Sequence, residues 1–170
     1  MKTIAKFALW GAAGFGIGGA IGYAFWQAFY ILAVALFTLG LIGGASLGLA
    51  LKSWKRAAFF ALACSVGFLI GAALEFVFLG GRHLALFFTG AIQGAIGGAS
   101  LGLVLKDWRI AAVLALSGAV GFGVSSQALY GIGPWLVERG MLIVEGLVWG
   151  IVGGAFLGAA LGYLKKRRVV

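Results

Sequence analysis

With one cysteine, one proline, one histidine and four acidic residues in 170, the chain has little from which an active site is ordinarily assembled. Cys64 alone cannot form an internal disulfide, and no thiolate cluster is available for zinc or an iron–sulfur centre. It is expected to be a small buried packing residue. His83, next to Arg82, lacks companion ligands, so no metal or haem site is expected around it. No serine and histidine pair has a convincing third member, and no two carboxylates are placed by sequence at one site. The chain is therefore expected to be non-catalytic and to carry no cofactor. Charge is scarce too: Asp, Glu, Lys and Arg make up 10% of the residues, against about 25% in a soluble domain. Water cannot be the main solvent of such a sequence.

What is abundant points to a bilayer. Hydrophobic residues form 63% of the chain, and 31 residues are glycine. A helical span needs roughly 20 apolar residues at 1.5 Å rise each, so the length accommodates six spans, short loops and no soluble domain. In a soluble helix each glycine costs about 1 kcal/mol relative to alanine. Hydrocarbon reverses that argument, because backbone groups have no alternative partner there and small residues let two helix backbones approach closely. The string GFGIGG at Gly14 matches a dinucleotide-binding pattern on paper, but it lies inside a span with no preceding strand, so the match is empty. The net charge of +9 does not point to nucleic acid, since the basic residues sit at the ends of apolar runs, where anchors beside anionic headgroups belong.

The sequence repeats. Residues 42 to 54 read IGGASLGLALKSW and residues 96 to 108 read IGGASLGLVLKDW, identical at 11 of 13 positions. A weaker third copy starts at Val152, and GFGIGGAIGY at Gly14 matches GFLIGAALEF at Gly67 and GFGVSSQALY at Gly121. The expected spans are about 4–26, 29–51, 56–79, 84–105, 109–130 and 141–164, with boundaries good to roughly two to four residues. Paired, they give repeat 1 at about 4–51, repeat 2 at about 55–105 and repeat 3 at about 108–164, followed by a basic tail at 165–170. The match of the first span to two internal helices predicts a retained span rather than a cleaved signal.

Eleven of the 13 Lys and Arg fall at the N-terminus, at the junctions after the second and fourth spans, and at the C-terminus. With six spans these places share one face, so the positive-inside rule predicts an integral cell-membrane protein with both termini cytoplasmic. Each repeat crosses twice, so all copies insert in the same orientation, which excludes an inverted-repeat fold. The predicted fold is all-α: six transmembrane helices as three tandem two-helix hairpins, with approximate threefold pseudo-symmetry.

The second helix of each repeat carries glycine at a spacing of four: Gly40, Gly44 and Gly48, then Gly90, Gly94, Gly98 and Gly102, then Gly146, Gly150, Gly154, Gly158 and Gly162. Residues four apart share a helix face, and such rows commonly dock helices on one another. The five-glycine row is longer than one angled crossing requires, so part of the last helix is expected to face a second copy or another subunit. Few polar residues interrupt the spans. Glu145, Gln93, Ser125 and Ser126 are candidates for a polar pathway, because an intramembrane ionisable residue suggests function by default. Glu75, Arg82, Glu138 and Arg139 are candidates for ion pairs at the outer face. The midplanes are almost entirely Gly, Ala, Leu, Ile, Val and Phe. The expected function is that of a scaffold or accessory subunit whose glycine faces pack against itself or other transmembrane helices. The alternative is a small channel or transporter with a pathway between hairpins or on the pseudo-symmetry axis.

Overall fold

The computed structural model describes residues 1–29, 32–79, 86–130, 135 and 141–167. Its main elements are six helices: α1 (Lys2–Phe29), α2 (Leu32–Ala50), α3 (Trp54–Leu79), α4 (Leu86–Val104), α5 (Trp108–Tyr130) and α6 (Leu142–Lys166). Their ends lie within three residues of the boundaries expected from sequence. The shortest have 19 residues, about 28 Å at 1.5 Å per residue, which matches a hydrocarbon core of about 30 Å. All six are long and apolar enough to cross a membrane, and the chain is an integral membrane protein. Large apolar side chains such as Leu9, Phe59, Leu62, Phe88 and Leu116 point away from the bundle. Lipid solvates such a surface, whereas in water it would aggregate.

Two tight corners join α2 to α3 and α4 to α5 by the same construction. Lys52 and Lys106 adopt positive φ, 59° and 57°, and their N–H groups donate to the carbonyls of Leu49 (2.7 Å) and Leu103 (2.9 Å), ending the preceding helix. The next residue caps the following helix. Asp107 Oδ1 accepts from the N–H of Arg109 (2.8 Å) and of Ile110 (3.2 Å), and Ser53 Oγ accepts from the N–H of Arg56 at 3.3 Å. A left-handed lysine is conformationally unfavourable by about 1–2 kcal/mol, and glycine is plentiful elsewhere in this chain. What lysine supplies at these corners, and glycine cannot, is a positive charge at headgroup level.

The helices form a ring. Each packs on its neighbours in the chain, and α6 returns to α1, making the most extensive interface in the molecule. The glycine rows set these interfaces. Gly40, Gly44 and Gly48 of α2 lie against Cys64–Ser65, Phe60–Ala61 and Arg56–Ala57 of α3. Gly90, Gly94, Gly98 and Gly102 of α4 lie against Phe122, Gly118, Leu114 and Ala111 of α5. In α6, Gly146, Gly150, Gly154 and Gly158 face Gly19, Phe15, Gly11 and Phe7 of α1, a four-residue step on one helix for each step on the other, and Gly162 faces Ile4. At almost every one of these positions an added Cβ would meet the backbone of the opposite helix.

The expectation that part of the α6 row faces a second copy is therefore corrected: α1 covers all five glycines. The reason is that α1 is itself small along the facing strip, where Gly11 and Gly19 present bare backbone to Gly154 and Gly146. Two smooth strips run alongside each other for the full length instead of diverging from one crossing point.

Candidate functional site

The centre of the ring is filled by aromatic rings. Phe15 of α1, Phe68 of α3 and Phe122 of α5 are fully buried, with ring centroids 6.1 Å (Phe15–Phe68), 5.8 Å (Phe15–Phe122) and 5.0 Å (Phe68–Phe122) apart. The indole of Trp149 on α6 stacks edge-on against Phe122 at 4.8 Å and Phe68 at 6.0 Å. Tilted and edge-to-face contacts of this kind are the favourable arrangement for aromatic pairs. Each phenylalanine fits over a glycine of the next helix in the chain: Phe15 over Gly43, Phe68 over Gly97 and Phe122 over Gly153. Two turns toward the end that carries the termini, Phe7, Phe60 and Leu114 are also buried, as are Leu47, Leu101 and Leu157.

Three serines tie neighbouring helices together. Ser46 Oγ donates across to the Trp10 carbonyl (3.0 Å) and back to Gly43 (2.7 Å). Ser65 Oγ donates to Phe37 of α2 and to Ala61, both at 2.9 Å, and Ser117 Oγ to Phe156 of α6 at 2.8 Å. Such interhelical bonds contribute about 0.6 kcal/mol on average in a membrane.

The four polar-pathway candidates occupy different surroundings. Ser125 is fully buried and donates to the Phe122 carbonyl of its own helix at 3.0 Å. Ser126 accepts from the indole Nε1 of Trp149 at 2.7 Å and lies beside Gly90 of α4. Gln93 is buried, its Cα against Gly71 of α3. Glu145 is partly exposed in the first turn of α6. Arg82, Glu138 and Arg139 lie outside the described residues, as does the side chain of Glu75.

The aromatic centre was not singled out from sequence, although a signal exists: a Gly-Phe pair opens the matching segments at Gly14, Gly67 and Gly121. Trp149 carried no comparable signal. On the perimeter, the faces of α3 and α4 leave an apolar cleft of about 470 Å³ around Val66, Gly67, Ile96, Ala99 and Leu103. No protein-family model, curated protein or solved structure matches this chain.

Proposed function

We propose that the protein is a non-catalytic membrane scaffold or accessory subunit, built from three same-direction hairpins around an approximate threefold axis, with both termini cytoplasmic. The observation that carries this reading is the filled interior. The rings of Phe15, Phe68, Phe122 and Trp149 meet at the centre of the bundle, and the glycine rows are occupied by helices of the same chain. A core this closely packed is rigid rather than open. The repeat reading draws support from the correspondence of the three phenylalanines and their glycines with matching positions in the sequence. On this reading a partner transmembrane helix occupies the apolar cleft between α3 and α4.

Cysteine crosslinking in native membranes tests this. Ala99→Cys, in the cleft, should give one discrete protein adduct, while Leu62→Cys, on the lipid-facing side of α3, should give none. Equal diffuse labelling at both sites would remove the scaffold reading.

The channel or transporter alternative draws on the buried Gln93 and Ser125. It requires the aromatic rings to move aside. Liposome flux above that of empty vesicles, reduced in Glu145→Gln, would favour it over the scaffold.

A further inference from the structure

The start of α1 meets the C-terminal ends of α2 and α6 around a cavity of about 450 Å³. Lys2, Lys6, Lys52 and Lys165 line it together with Thr3, over an apolar floor that includes the buried Phe7 and Ala50. Among the described residues no acidic side chain lines it. The acid nearest in sequence to this end of the bundle, Asp107, is engaged as the cap of α5.

We propose that this cavity binds a phosphate-bearing anion, and specifically that it seats the headgroup of an anionic phospholipid beside the bundle. The ammonium groups of Lys2, Lys6 and Lys52 beside one cavity favour an anion there, and a phosphate can accept hydrogen bonds from lysine and from the Thr3 hydroxyl. The apolar floor suits the glycerol and first acyl carbons behind a phosphate.

Two features separate this place from ordinary basic anchoring. Lys2 corresponds in the sequence repeats to Lys55 and Arg109, so a charge there is common to all three copies. Lys6 lies one turn deeper, and its counterparts are Phe59 and Val113, both exposed on the bundle surface.

The second feature is the register of α6 on α1. Gly44 of α2 faces Phe60–Ala61, whose counterparts in α1 are Phe7–Ala8, yet Gly154, the counterpart of Gly44, faces Gly11. The α6–α1 contact is thus displaced by one helical turn from its two relatives, which brings Lys165 level with the start of α1. The other two contacts are held by the covalent corners at Lys52 and Lys106; this one has no corner and leaves the cavity in its place.

The site depends on the membrane placement of the bundle and not on its scaffold role. The test uses the full chain purified from vesicles of phosphatidylcholine alone or mixed with phosphatidylglycerol, with retained lipid counted by native mass spectrometry. One phosphatidylglycerol per chain is expected. Retention should weaken about fivefold in Lys6→Gln and about thirtyfold in Lys6→Gln with Lys52→Gln, at roughly one lysine–headgroup interaction per substitution. The control Lys55→Gln should retain lipid as the parent does, and all variants should keep the parent's melting temperature. Equal loss in Lys55→Gln, or unchanged retention in the double variant, would overturn the site. Displacement of the lipid by millimolar inorganic phosphate would assign the cavity to a soluble phosphate instead and overturn the lipid assignment. Release of the chain from membranes by alkaline carbonate would sink the membrane placement itself, a result separable from either.

Discussion

Phe122 lies with its ring over Gly153, in space that any side chain at that position would take. The relationship joins α5 to α6 and sets one side of the aromatic centre. Gly153→Leu should destabilise the bundle by about 1–3 kcal/mol through overpacking, and Phe122→Ala by about 3–5 kcal/mol through the void it leaves. Leu62→Ala, on the exposed face of α3, should change stability by less than about 0.5 kcal/mol. Reversible unfolding in mixed micelles, followed by circular dichroism, measures all three.

Gly154→Leu separates an internal from an external glycine face. Because an added Cβ at Gly154 would meet the carbonyl of Gly11, the variant should lose the folded monomer itself, seen as a broadened elution profile and rapid proteolysis in mild detergent. A monomer that stayed folded while losing only a partner would show that α6 faces outward.

The two lysine corners make a paired prediction. Lys52→Gly and Lys106→Gly should each raise stability by about 1 kcal/mol, since glycine adopts positive φ without a Cβ clash. Asp107→Ala should lower it by about 1 kcal/mol by removing the cap of α5. Thermal unfolding of the three single variants gives the signs directly.

Orientation is tested by cysteine labelling from either side of sealed vesicles. Native Cys64 is fully buried and should stay unlabelled. Lys55→Cys should react only from the cytoplasmic side and Trp135→Cys only from the outside. Reaction of both from one side would overturn the six-span topology.

The helices and their ends were legible in the sequence because the bilayer imposes a length and the basic residues mark where each run stops. Which helix faces which was not. A row such as Gly40, Gly44 and Gly48 states that something approaches closely but not what, and the row on α6 was expected to reach beyond the chain when its partner was α1. The aromatic centre was hidden for a related reason. In a soluble protein a phenylalanine in an apolar run is core, but here Phe59 and Phe88 face lipid while Phe15, Phe68 and Phe122 are enclosed, and composition alone does not divide them. A preceding glycine marks Phe15, Phe68 and Phe122, but Phe7 and Phe60 are buried without one. Among the polar candidates, sequence marked Ser126 without its Trp149 partner, because a contact between residues 23 apart has no local signature.

The most extensive interface among the described residues, α1 on α6, unites the earliest of the six helices with the latest. Every other helix meets a neighbour already made or made next, at the cost of a short loop. Strip-to-strip contact with α1 must wait until α6 has followed the other five, a separation that slows folding. Until α6 arrives, the bare backbone of Gly11 and Gly19 stands open in the bilayer to any smooth helix nearby. Biogenesis is therefore most vulnerable to mispairing just before α6 enters, and a variant lacking α6 should leave α1 as the helix captured by other proteins.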